Sequence, residues 1–221
     1  MAAASAQSIC KEAAGSRAQS AANDRILDVG CGPYKIRGAI GIDHTPAPGV
    51  DVVYDLDIVP WPFATDAFSR AVCRHSLAHL KNIVGTMEEL HRILRPGGIL
   101  EIVTPHFSSD NAFTDITSRW FFSSRSMDFF CANRRLSNYR YSRPEFELLE
   151  VRISFLQAAV FAPDRRKANP LKVLGIEAVV NRFPRIYEHF MAFLLRANEV
   201  YYRLRAVKES VSLEQESPNR A

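Results

Sequence analysis

The residues best placed to do chemistry lie in LDVGCGP, Leu27 to Pro33, where a short apolar run ends in a turn. Gly30 and Gly32 let the backbone turn tightly and let a ligand approach the main chain without meeting a Cβ. Asp28 sets a carboxylate beside that turn, suited to a ligand with positive charge or donors, such as the amino group of an aminoacyl cofactor. Cys31 sits between the glycines and joins the candidate set as a small residue of a tight loop. The run is not the dinucleotide fingerprint GxGxxG. Lys35 stands where the third glycine would permit close helix–strand packing around a pyrophosphate, which counts against NAD or FAD.

Eleven residues after Gly32, Asp43 closes the next apolar run in AIGIDH, with His44 beside it. A carboxylate there can accept two hydrogen bonds from a ribose diol. Asp55 and Leu56 follow a third run. A carboxylate next to an aliphatic side chain suits adenine, whose exocyclic amine needs an acceptor and whose face needs apolar cover. His106 is the first candidate for a general base and His75, also a candidate cofactor contact, the second, because both follow apolar runs whose ends converge on one crevice. Each residue also has a plainer reading: the acids can cap turns, and the imidazoles can pack or bond locally. His79 and His91 read as structural.

Those residues need elements to carry them. Apolar runs at 25–29, 39–42, 50–54, 68–73, 99–104, 146–155 and 200–207 read as seven strands. Helical patterns between them indicate an α/β fold, a parallel sheet wrapped by helices. Between Gly32 and Asp43 there is room only for a very short first helix. The clearest helix carries Ile83, Val84, Met87, Leu90, Ile93 and Leu94 on one face, stops at Pro96-Gly97-Gly98, and places Glu88 and Arg92 for an i,i+4 pair. A second helical pattern runs near Tyr187 to Leu195. The long connection at 107–145, rich in Phe, Ser and Arg, reads as a substrate-recognition insertion. Within it, Trp120 to Phe122 reads as core.

Length and composition bound the rest. The 221 residues suit one domain, 25–208, between a flexible arm at 1–24 and a disordered tail at 209–221. No run is long and apolar enough for a membrane span. The arm lacks the apolar core of a secretory signal. Four scattered cysteines without a Cys/His cluster suggest neither zinc nor disulfides, and point to a cytoplasmic protein with no metal site. The net charge of +4 is mild. Two basic groups stand out: Arg134, Arg135, Arg140 and Arg143 with Tyr139 and Tyr141, then Arg165, Arg166 and Lys167. A solvated face ranks first for them, a small acidic ligand second and nucleic acid third.

LDVGCGP, IGID, DLDIVPWPF, SLAHL and ELHRILRPGGILEIVTPH, in this order and spacing, resemble class I S-adenosylmethionine-dependent methyltransferases, in particular the "type 11" methyltransferase-domain group. The likeness covers about 25–106 and, more loosely, the chain to 208. It implies a Rossmann-like, seven-stranded, mostly parallel sheet with helices on both faces and an antiparallel last strand. It implies S-adenosylmethionine over strands one to four: Gly30 and Gly32 along its amino-acid portion, Asp43 on the ribose, Asp55 and Leu56 at adenine. In-line transfer of the methyl to a small-molecule acceptor follows, with a non-catalytic binding module and an RNA methyltransferase as rivals. Two residues depart from the pattern: Ala78 replaces the acid of a familiar LEHL, and Ser118 stands where a subgroup carries histidine.

Overall fold

The computed structural model describes residues 24–134, 136, 139, 145–155 and 175–208. Seven strands form a single sheet: β1 (Ile26–Val29), β2 (Ile40–Asp43), β3 (Val52–Val53), β4 (Phe68–Arg74), β5 (Leu94–Pro105), β6 (Glu145–Ser154) and β7 (Glu199–Val207). Their order is β3-β2-β1-β4-β5-β7-β6, with β7 antiparallel to both neighbours and the β1 to β5 pairings parallel. β1 is central, and Leu27, Asp28 and Val29 are all fully buried. That suits an apolar run covered on both faces of a parallel sheet.

The chain runs from β1 through β2 to β3 on one side, then crosses to β4 on the other. The reversal of strand order lies between β1 and β4, and a crevice opens there beyond the carboxyl ends. No helix separates β1 from β2, contrary to the short one expected; the chain crosses in turns around Pro33 and Gly38. Ten residues between the strands, with Pro33 and a left-handed Gly38, leave no room to nucleate and end a helix.

The predicted long helix is α1, Ile83–Ile93. Asn82 caps it, its Oδ1 accepting from Gly85 N at 2.9 Å. Met87, Leu90 and Ile93 are buried without exposure and anchor the main core with Leu27, Phe68 and Trp61. The expected Glu88–Arg92 pair does not form. Arg92 instead binds Glu89 at 2.6 Å and donates to the carbonyls of Trp61 and Phe63, while Glu89 accepts from Trp61 N. Carbonyls in need of donors on that side outcompete a solvated i,i+4 pair worth a few tenths of a kcal/mol. α2, Ile176–Arg182, is followed by a short helical piece, Pro184–Ile186, and a π-helical turn, Tyr187–Met191. Val180 and Tyr187 bury against Ile153 and Phe155 of the β6 region as a second, smaller core.

Candidate functional site

A cleft of about 800 Å³ opens at the carboxyl ends of the first four strands, within the usual size of a small-ligand pocket. Gly30 reaches it from β1, Asp43 and His44 from β2, Asp55, Leu56 and Asp57 from the segment after β3, and Arg74 and His75 from β4. Residues separated by up to 45 positions therefore meet in one place because parallel strands all end on the same side.

The glycine turn is held by its neighbours. Gly30 has φ +66°, and a Cβ built there would come within 2.3 Å of Ser76 Cβ. Ser76 Oγ in turn donates to Val29 O at 2.7 Å, so the β4 end is drawn tightly over the β1 end. Gly32 also has positive φ, but a Cβ there would meet open space. Asp43 clamps the loop: Oδ2 accepts from Gly32 N and Oδ1 from Thr45 N, both at 2.9 Å. His44, on the cleft's edge, is mostly exposed, with Nδ1 3.3 Å from Asp43 Oδ1.

Asp28 is fully buried and does not reach the cleft's wall directly. Its Oδ2 accepts from Ile36 N and from Arg74 Nη2, each at 2.7 Å. Its Oδ1 and the Nε of Arg74 are both buried without a hydrogen-bond partner among the described residues. Through Oδ2, Asp28 fixes the side chain of Arg74, which does line the cleft. Cys31 is not on the wall either. Its sulfur fills the space beside Gly41, where a Cβ would lie 2.7 Å away. Burial and the nearby Asp28 and Asp43 push its thiol up to about 11, so it stays protonated and serves packing.

Asp55 accepts from Asp57 N at 3.0 Å, and Asp57 accepts from Lys81 N at 2.6 Å. Leu56 is buried in the core while contributing to the cleft, and its carbonyl accepts from Trp61 Nε1. Pocket residues that the candidate set above lacks include Asp57, Arg74, Ser76, Lys81, Asp115 and Thr117; His79, read as structural, also lines the cleft. Thr117 Oγ1 lies 2.9 Å from His79 Nδ1, Arg119 N donates to Ala78 O, and Trp120 Nε1 donates to Leu80 O. The expected insertion thus straps onto the turn Leu77–His79. Ala78 is buried there, and Ser118 N donates to Asp115 O. These contacts join segments some 40 residues apart, so no local pattern reveals them.

The two candidate bases separate. His75 lies on the cleft, with φ +57° and Nε2 3.0 Å from Glu199 Oε1. His106 is fully buried and does not line the cleft. Its Nδ1 lies 2.8 Å from Ser108 Oγ and its Nε2 3.3 Å from Glu188 Oε1. A strand end brings a residue to the site's side of the sheet, but here the chain folds back over His106 through Phe107 and Tyr187. Burial pushes the Glu188 carboxyl up, but hydrogen bonds from His106 and Ser124 outweigh it and hold the group below its ordinary value. Glu188 also lines a second cavity of about 780 Å³, together with Arg125, Arg185 and His189.

Of Trp120 to Phe122, only Phe122 belongs to the core; Trp120 and Phe121 are exposed. Arg134 lies 3.6 Å from Asp128, and Tyr139 is exposed. Arg135, Arg140, Tyr141, Arg143 and the 165–167 group lie outside the described residues, as do most of the predicted arm and tail. Among the described residues no group of three or more His, Cys, Asp or Glu is gathered to hold a metal, and no helix is long and apolar enough to cross a membrane.

Among solved structures, the chain is similar to an S-adenosylmethionine-dependent methyltransferase from Archaeoglobus fulgidus, at 14% identity with a TM-score of 0.51, covering 82% of this chain and 86% of that one. It is similar also to the [4+2]-cyclase SpnF, at 19% identity with a TM-score of 0.50, covering 84% and 75%. Both likenesses concern the fold. Methyltransferase GfsG of Streptomyces halstedii is 31% identical over 109 residues, with 39% of each chain covered, so the match spans about two fifths of that curated relative. The "Methyltransferase domain" family model matches residues 6–159, well over half of the 221. With the glycine turn, the strand-end acids and the sheet order all in place, the chain belongs to the methyltransferase-domain family.

Proposed function

We propose that the cleft at the ends of β1 to β4 holds S-adenosylmethionine and that the methyl passes to a small-molecule acceptor beside His75. The observation that carries this reading is the meeting of Gly30, Asp43, Asp55, Leu56 and His75 in one cleft. Asp43 takes the ribose hydroxyls with the lone pairs left over from Gly32 and Thr45. Asp55 and Leu56 take the adenine edge and face. Arg74, which lines the cleft and is held by Asp28 at 2.7 Å, pairs with the cofactor's carboxylate.

When bound, S-adenosylmethionine supplies a methyl already made electrophilic by the sulfonium. The chain has to hold the acceptor in line with it and keep water out, and such positioning contributes roughly 7–11 kcal/mol in favourable cases. For a hydroxyl acceptor, His75 is the base. A carboxylate lies close behind it, with Glu199 Oε1 3.0 Å from Nε2. His106, enclosed with Glu188 and Ser108, is a positioning residue for the segment that covers it.

The cleft's charge supports a small acceptor over a nucleic acid, since Asp43, Asp55, Asp57 and Asp115 line it against Arg74 and Lys81. A nucleic-acid backbone entering the cleft would meet these carboxylates. The reading is tested by calorimetric titration of the chain with S-adenosylhomocysteine, with NAD as control. Micromolar binding is expected, weakened roughly tenfold or more, at least ~1.4 kcal/mol, by Asp43→Ala. Absence of binding at millimolar ligand overturns the assignment.

A further inference from the structure

Two groups of large apolar side chains stand exposed around the carboxyl end of the sheet. The first is Phe113, Ile116 and Phe121, on the strap that borders the cleft; Ile116 is 96% exposed. The second is Phe190, Phe193 and Leu194, after the π-helical turn; Leu194 is 82% exposed. The second group continues a stripe with Val179, Phe183 and Ile186, all exposed and spaced three or four residues apart, on the side opposite buried Val180 and Tyr187. A helical segment that turns an apolar stripe outward is unusual in a chain with a complete core, and such patches mark interaction surfaces.

The two groups belong to one end of the molecule. β5 finishes where β7 begins, with Pro105 opposite Glu199. Phe107 packs against Phe193 with ring centroids 5.7 Å apart, and Arg196 pairs with Asp110 at the foot of the strap. Cations flank the apolar side chains: Arg119, Arg182 and Arg185 are exposed and have no carboxylate partner among the described residues. Neighbouring acids are engaged: Asp110 by Arg196, Asp115 by Thr117, and Glu188 by His106 and Ser124.

From the exposed aromatics and the uncompensated arginines, we propose that this end of the molecule is an interfacial face that seats the protein on an anionic phospholipid surface. Aromatic and aliphatic tips enter the boundary between headgroups and acyl chains, and the arginines meet lipid phosphate and carboxylate. No described helix can span, so the association is peripheral. The arginines beside the apolar tips complement an anionic lipid surface. The proposal does not rest on the cofactor assignment.

The test is flotation of the full chain with vesicles of phosphatidylcholine alone and of phosphatidylcholine with phosphatidylserine at about 2:1. The protein is expected to float with the mixed vesicles, to lose roughly tenfold in partitioning at high salt, and to bind the neutral vesicles weakly. The F190S/F193S variant should lose flotation, and the R182Q/R185Q variant should lose the preference for phosphatidylserine. Unchanged S-adenosylhomocysteine binding, or an unchanged melting curve, shows that either variant is folded. Failure of the unmodified chain to float, or equal flotation of F190S/F193S, overturns the proposal. So does a concentration-dependent dimer in sedimentation that F190S/F193S abolishes, because the face then belongs to a second copy.

Discussion

At the scale of single residues, the acids read from the sequence do two jobs at once. Asp43 offers lone pairs to a ligand while its oxygens already bind Gly32 N and Thr45 N, so the same group shapes the turn and serves the cleft. Asp28 works behind the cleft, its Oδ2 holding Ile36 N and Arg74 Nη2 in place. Glu188 shows a different use of a buried carboxylate, tying Ser124 to His106. Because its folded value lies below the ordinary 4.5, it stabilises the fold at pH above that value, and the stabilisation is lost as pH falls through the folded value. Glu188→Gln is therefore expected to cost roughly 1–3 kcal/mol at neutral pH and to flatten the loss of stability in acid. Chemical denaturation from neutral pH to below 4.5 checks this; an unchanged acid slope in the variant argues against the coupling. Asp43 was legible because it ends an apolar run. Glu188 was not, because its partners lie 64 and 82 residues away.

At the scale of elements, the strands and α1 were legible and the strap was not. Period and burial agree in β1, β4 and α1, so apolar spacing alone locates them to within a residue or two. The 115–120 segment has no such periodicity. It is held by docking on the turn Leu77–His79, through Arg119 N to Ala78 O and Trp120 Nε1 to Leu80 O. Removing one of these bonds should loosen the strap without unfolding the sheet. Trp120→Phe keeps the ring and loses the donor, a change of about 1 kcal/mol that should speed amide exchange in 115–120 roughly fivefold. Exchange in β1 and β4 should not move, and an equal rise there would show that the strap is part of the global core instead.

At the scale of the whole molecule, the site has no element of its own. Every wall is the end of a strand or a loop between strands, and the sheet that places them is the sheet that carries the core. A ligand in the cleft therefore stabilises the entire fold. At about a hundredfold excess over Kd, S-adenosylhomocysteine should add about 2.7 kcal/mol. For a domain of this size that raises Tm by about 5–10 °C. A thermal shift measurement follows it, and Asp43→Ala should reduce the shift at the same ligand concentration.

By itself, the amino-acid sequence determined the strand order along the chain, the glycine turn, and which acids end which strands. These are local: each depends on the types of a few successive residues and on the period of their burial. The tertiary structure alone decided which residues share a cleft and which do not. It carried His75 to the wall and enclosed His106, though both follow strands, because only the second is covered by later chain. It spent Cys31 on packing and Arg92 on backbone carbonyls, and it brought Thr117 and Asp115 over the pocket. The difference is one of range: propensity and periodicity act between near neighbours, whereas enclosure depends on contacts between segments that the sheet brings together from far along the chain.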